Sequence, residues 1–169
     1  MSAWERCVGA TDEWRTPAYI FEALGVEFDL DVAAPAEGPR HVPAHGWISR
    51  DSLAKDWYGF IWMNPPFGPR NVLRPWLEKF IAHGDGLALV PDRTSAPWFQ
   101  EAAAKMDAIL FLSPKVQFER ADGSRGKSPG TGTALLAKGK RANDALVNAS
   151  RLGLLVLPLL GKGRWLGKG

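Results

Sequence analysis

Apolar and polar positions along the chain switch between a period of two and a period near 3.6, the pattern of strands alternating with helices. Thr16-Pro17 predicts the start of a helix over 18–24, with Thr16 as N-cap, Pro17 in the first helical position and Gly25 as the stop. Val26, Phe28, Leu30 and Val32 alternate with Glu27, Asp29 and Asp31, which predicts a strand that Ala33-Ala34-Pro35 ends. Residues 35–46, rich in Pro, Gly and His, read as a loop. A short apolar run over 59–63 stops at Asn64-Pro65-Pro66-Phe67-Gly68-Pro69, because prolines cannot donate to a strand ladder. Apolar residues at 72, 73, 76, 77, 80 and 81 mark a helix over 71–83. A strand over 86–90, a helix over 96–106 and a strand over 108–112 follow. Further on, strands at 116–119 and 133–137 flank a Gly/Ser/Lys/Arg stretch and predict a hairpin with a long basic tip. A helix over 142–151 and a strand over 154–157 complete the series, with no internal repeat.

Such alternation predicts an α/β fold with a largely parallel sheet covered on both faces. Ligands of open sheets of this kind bind outside the carboxyl ends of the strands. Three stretches fall there: 31–35, 64–68 and Pro91-Asp92-Arg93.

At 169 residues and 46% hydrophobic content the chain is long enough for a single domain spanning 1–169 with its own core. One cysteine, Cys7, leaves no internal disulfide. No basic-then-apolar leader opens the sequence, and the longest apolar run, 152–160, is too short to cross a bilayer. These features point to a soluble, intracellular protein. The net charge of +3 is unevenly spread: ten Lys/Arg between Arg120 and Gly169 face only Asp122 and Asp144, leaving +8 there and −5 in the rest. That asymmetry fits either a polyanionic partner or a solvated basic surface.

Asn64-Pro65-Pro66-Phe67 is where the residue types match a chemistry. An exocyclic amino group of adenine is a poor nucleophile, because its lone pair is delocalised into the ring. Two acceptors on its two N–H bonds draw the nitrogen toward tetrahedral geometry. The Asn64 side-chain oxygen and the Pro65 carbonyl can be those acceptors, aimed by the fixed proline φ angles. Phe67 offers a face for an extruded base, worth roughly 1–3 kcal/mol against the few kcal/mol of extrusion. No general base is required. As a bare tetrapeptide the same residues also read as a rigid turn.

Asn64-Pro65-Pro66-Phe67 resembles the (Asp/Asn/Ser)-Pro-Pro-(Tyr/Phe/Trp) motif of amino-group DNA methyltransferases. The flanking sequence is similar to the compact phage-type adenine-N6 DNA methyltransferases, the phage Dam family. Its marks here are Glu13-Trp14-Arg15-Thr16-Pro17, Tyr19-Ile20-Phe21, Leu24, Phe28-Asp29-Leu30-Asp31-Val32-Ala33-Ala34, Asp51-Ser52-Leu53, Trp57, Trp62-Met63 ahead of the motif, and Trp76. The likeness covers roughly residues 12–137. It implies a Rossmann-like S-adenosylmethionine-dependent methyltransferase sheet, S-adenosylmethionine as cofactor, double-stranded DNA as partner and a cytoplasmic setting, that of the host if phage-encoded. It also implies roles. Thr16 and Pro17 would lie along the methionine part of the cofactor, Asp31 and Ala33 would close the first cofactor-binding strand, and Asp51 would approach the cofactor adenine. Asn64, Pro65, Pro66 and Phe67 would hold the target base. A sulfonium cation is well served by acidic and aromatic neighbours, which suits Asp31 and Phe67. Thr16 and Asp51 read equally as helix N-caps.

Two departures stand out. Ala33-Ala34-Pro35 replaces the glycine-rich turn usual after the first strand, and no stretch is long enough for a separate target-recognition domain. The remaining candidate for DNA contact is the basic tip with Arg120, Arg125 and Lys127, which also reads as a solvated loop. His41, His45 and Cys7 match no metal-ligand spacing. His83 reads as a helix cap. Trp57 and Trp62 flank the motif strand and are expected to shape a pocket. A methyltransferase of RNA or of a protein glutamine, and a nucleic-acid-binding module without turnover, are the alternative readings.

Overall fold

The computed structural model describes residues 14–68, 72–126 and 130–158. Seven strands form one sheet: β1 (Phe28–Asp31), β2 (Ala44–Trp47), β3 (Ile61–Met63), β4 (Gly86–Pro91), β5 (Ala108–Leu112), β6 (Thr133–Lys138) and β7 (Gly153–Val156). Their spatial order is β2-β1-β3-β4-β6-β5-β7. Strand β1 runs parallel to β2 and β3, and β3 parallel to β4; β6 is antiparallel to both β4 and β5, and β7 antiparallel to β5.

Four helices cover both faces: α1 (Ala18–Leu24), α2 (Leu73–His83), α3 (Pro97–Ala103) and α4 (Lys140–Asn148). On one face Ile20 and Leu24 of α1 and Ala142, Ala145 and Leu146 of α4 pack with Trp62, Leu87, Leu110 and Leu135. On the other, Leu77 and Phe80 of α2 and Phe99 of α3 pack with Ile61, Met63, Val90 and Leu136. Alternate residues of β3 and β4 thus serve opposite layers, as the two-residue period of a strand requires. The α1 helix occupies the predicted residues and ends at Gly25, whose φ of 64° lets its N–H reach the Phe21 carbonyl at 3.0 Å.

The predicted hairpin is not formed. Strand β6 instead enters the sheet between β4 and β5. Thr133–Ala137 is buried throughout and needs a partner on each side. The 116–119 segment has only Val116 and Phe118 to bury, and it docks them on the edge of the core without joining a strand. Strand β2 lies in the segment read as loop, because its Ala-His-Gly-Trp carries no apolar signal. The alternation over 26–32 is a strand, yet Asp29 and Asp31 are turned inward: Asp29 Oδ2 accepts the Phe60 N–H at 2.7 Å, and Asp31 is 3% exposed.

Antiparallel β6 also divides the basic C-terminal third. Lys138 pairs in register with Gly86 at the amino end of β4, while Thr133 pairs with Pro91 at its carboxyl end. Lys138 lies 3.6 Å from Asp107, Lys140 lies 2.5 Å from Asp144, and Arg141 covers the Phe60 ring at 4.4 Å. These cations stand at the end of the sheet away from the strand carboxyl ends, so the described cations of the basic third do not form one continuous patch. Among the described residues, no helix is long and apolar enough to cross a membrane. Cys7, Lys127 and the lysines and arginine beyond residue 158 lie outside the described residues.

Candidate active site

The chain steps from β1 outward to β2, then returns past β1 to β3 and continues to β4. This reversal leaves a crevice between the carboxyl ends of β1 and β3, the place where open α/β sheets bind ligands. A cavity of about 240 Å³ lies there. Its walls come from the turn after β1 (Val32, Ala33, Ala34), the segment after β2 (Ile48 to Ser52), Pro66 and Trp76 of α2.

Each wall has a local cause. The turn after β1 has no glycine, and Asp31 organises it: its Oδ1 accepts the Ala33 N–H at 3.0 Å. The local side-chain bond does what a permissive backbone would otherwise do. Burial raises the Asp31 carboxyl from an ordinary 3.8 to about 7, with the Ala33 hydrogen bond pulling weakly the other way. Asp51 precedes a single 3-10 turn, Ser52–Ala54, with φ of 54° and no side-chain capping bond. A left-handed non-glycine residue stores strain of order 1 kcal/mol and often marks a functional position. That turn is held from outside: Lys79 donates to the carbonyls of Ser52 at 3.1 Å and Leu53 at 3.0 Å and to that of Lys55. Trp57 Nε1 donates to the Ser52 hydroxyl at 3.0 Å, and its ring carries Lys79 Nζ at 4.7 Å.

The Asn64–Phe67 corner leaves β3 in two directions. Pro66 lines the cavity. Half-buried Asn64 turns to the N-terminal segment, where its Nδ2 donates to Thr16 Oγ1 at 3.3 Å. Thr16 is therefore not the helix cap; the residue at that position is Pro17, and no side chain caps α1. Phe67 is 38% exposed and meets Phe118 edge-on at 6.2 Å. Asp31 lies behind Ala33 in the protein interior.

The basic segment reaches the same corner. Arg15 and Glu119 exchange backbone hydrogen bonds at 2.8 and 2.9 Å. Beyond Glu119 the chain makes a tight turn, with the Arg120 N–H donating to the Ser124 carbonyl at 2.8 Å and Glu119 bridging to Arg125. Exposed Arg120 stacks over Trp14 at 5.6 Å. Arg40 donates to the Ala121 carbonyl at 3.0 Å, and His41 Nε2 to Glu119 Oε2 at 2.7 Å. Arg40 and His41 had no signal in the sequence that ties them to this turn. His45 sits 3.3 Å from Glu27, and His83 Nε2 donates to the Gly59 carbonyl at 2.7 Å, bracing α2 against the loop before β3.

The structure thus gathers Ala33, Asp51 and Pro66 on one cavity, joins Thr16 to Asn64, and sets Arg120 and Arg125 on the turn that follows Phe118, the ring met by Phe67. Trp76, Ser49 and Arg50 complete the cavity walls. Comparison with curated proteins and with solved structures returns no match. The family model described as DNA N-6-adenine-methyltransferase (Dam) matches residues 6–145. That stretch takes in every described strand but β7 together with the whole cavity, and the chain belongs to the DNA N-6-adenine-methyltransferase (Dam) family.

Proposed function

We propose that this chain transfers a methyl group from S-adenosylmethionine to N6 of an extruded adenine in double-stranded DNA, at the crevice between β1 and β3. The observation that carries the reading is the cavity at the strand-order reversal, lined in part by Pro66 of Asn-Pro-Pro-Phe. The sheet order and the crevice support a Rossmann-like methyltransferase domain built within this one chain.

The residues present fit the cofactor. A cavity of about 240 Å³ suits a nucleoside moiety, below the roughly 300–1,000 Å³ of sites for larger ligands. Flat apolar walls at Ala33, Pro66 and Trp76 suit an adenine ring, and the Asp51 carboxylate, uncommitted to capping, suits hydroxyl or amino donors. When bound, S-adenosylmethionine supplies a methyl carbon on a sulfonium whose C–S bonding pair stays with sulfur. Thr16 and Pro17 border the side of the corner where Asn64 lies, and Asp31 shapes the turn that carries Ala33.

The protein's own contribution is to hold and activate the amine. Asn64 Oδ1 and the Pro65 carbonyl accept the two N–H bonds, so that the nitrogen lone pair is freed toward the methyl carbon. The extra proton of the methylated amine leaves along one of these hydrogen bonds to solvent. Phe67 stacks on the base, with Phe118 supporting the ring's edge. Arg120 and Arg125 hold the DNA backbone beside the corner, and Lys127 belongs to the same basic run.

Purified protein with labelled cofactor should place label on duplex DNA, recovered as N6-methyladenine after nuclease digestion. Label on RNA or on protein with blank DNA would replace the substrate. Asn64→Ala should abolish transfer while leaving cofactor affinity, by calorimetry, within a few-fold. Parallel loss of both would take Asn64 out of the reacting centre.

A further inference from the structure

Asparagine presents two chemically opposite ends on one symmetric-looking amide, and only the oxygen end can accept from an amine. An Asn64 turned the wrong way would offer N–H against N–H and repel the substrate. A bond on the nitrogen end is therefore as important as the oxygen itself. Thr16 Oγ1 accepts from Asn64 Nδ2 at 3.3 Å, and Thr16 is only 4% exposed, which limits competition from solvent for that bond.

Thr16 is itself held. The residue before it exchanges two backbone hydrogen bonds with Glu119, and the residue after it starts α1, where the Ile20 N–H donates to the Pro17 carbonyl at 3.2 Å. Its hydroxyl does not serve the helix. A buried threonine at a helix entry that leaves the helix uncapped, and spends its oxygen on an asparagine from another element, has its polar atom committed elsewhere.

We infer that Thr16 is a positioning residue, whose hydroxyl fixes the Asn64 amide with its oxygen presented to the substrate amine. The inference rests on the role proposed for Asn64 and differs from the cofactor-contact role that the family resemblance implies for Thr16.

The test is a double-mutant cycle of Thr16→Val and Asn64→Asp, read as single-turnover methyl transfer to duplex DNA at saturating S-adenosylmethionine. Valine keeps the shape of threonine and removes the acceptor. Thr16→Val should slow transfer about 10- to 100-fold, the range for a misaligned reacting group, with cofactor affinity changed less than about twofold. Thr16→Ser should restore the rate to within about threefold, since the hydroxyl returns. With Asn64→Asp the two ends are equivalent oxygens and the Thr16 hydroxyl turns donor, so only the loss from a misoriented amide disappears and Thr16→Val should slow transfer at least about threefold less than it does with Asn64. An equal loss in both backgrounds would make Thr16 a merely structural residue. A loss of cofactor affinity matching the loss of rate would make it a cofactor ligand. Either result overturns the inference while leaving Asn64 in place. Full activity of Asn64→Ala would instead overturn the site reading beneath it. If Thr16→Val melts below the assay temperature, Thr16→Cys, of similar volume and a poor acceptor, is held to the same comparison.

Discussion

Replacing Asp31 by asparagine removes a charge and keeps the oxygen that accepts the Ala33 N–H. The carboxyl is 3% exposed, and burial raises it from 3.8 to about 7. Between these values the folded chain retains a proton that the unfolded chain has released. Folding stability contributed by this group is therefore complete below pH 3.8, falls as pH rises, and is fully lost above about 7. The slope is at most about 1.4 kcal/mol per pH unit, or about 4 kcal/mol across the interval. Asp31→Asn has no such slope. Urea unfolding of the two proteins should give nearly equal stabilities at about pH 4 and a variant more stable by several kcal/mol at about pH 8. Because all other titrating groups are shared, the difference between the two curves isolates Asp31. A difference that stays constant with pH would refute the reasoning, since the buried carboxyl would then titrate as it does in the unfolded chain. The same group gives a cofactor test. If the proposed S-adenosylmethionine binds in front of Ala33, its fixed sulfonium charge favours ionised Asp31 through that turn, so its affinity should tighten as pH rises toward 7, an effect absent in Asp31→Asn and for the uncharged thioether S-adenosylhomocysteine.

Three other perturbations separate structural from functional parts. Gly59→Ala places a methyl 2.3 Å from Asp29 Oδ2 at a φ of 65°, displacing the acceptor of the Phe60 N–H; thermal or urea unfolding should show a loss of about 3 kcal/mol. Lys79→Met removes the clamp on the 3-10 turn behind Asp51, and calorimetry should show weaker cofactor binding with a stability loss of about 1–2 kcal/mol. Arg120→Ala and Arg125→Ala should each reduce the slope of log K against log salt for duplex DNA by about 0.9, while Lys140→Ala, at the other end of the sheet, should leave it unchanged.

The legible parts of the fold were those where one segment's own periodicity decides its structure. Helix α1 occupies its expected residues, since Gly25 stops it locally. Strands β3, β4 and β5 are short apolar runs ended by motif or proline residues, and they stand where the pattern puts them. Partnering was not legible. The 116–119 and 133–137 segments both look like strands, and adjacency in sequence favours pairing them. Yet β6, buried on both faces, gains two ladders inside the sheet, where a hairpin would give it one. Strand β2 escaped notice for the opposite reason, since it is an edge strand whose side chains bury little.

In the site, the motif was visible because prolines and asparagine after an apolar run are uncommon together, whereas the supports of that motif were not. Asp31 carries two properties that sequence leaves separate: it replaces the missing glycine turn by a hydrogen bond, and it pays for that position with a perturbed carboxyl. Thr16 looked like a cap because threonine before proline at a helix start usually is one; only the tertiary fold brings Asn64 within reach. The consequence is a physical chain through the corner. Glu119, which begins the basic turn, is hydrogen-bonded to Arg15, next to Thr16, and Thr16 holds Asn64. Phe118, beside Glu119, contacts Phe67. On the proposed function, the turn that meets DNA and the corner that activates the base are joined by the Arg15–Glu119 backbone bonds and the Thr16–Asn64 side-chain bond. A shift of the Arg120–Arg125 turn on a phosphate backbone would then reach the proposed amine-binding corner through Arg15 and Thr16. Such a connection would let a short basic turn take part in orienting the reacting base.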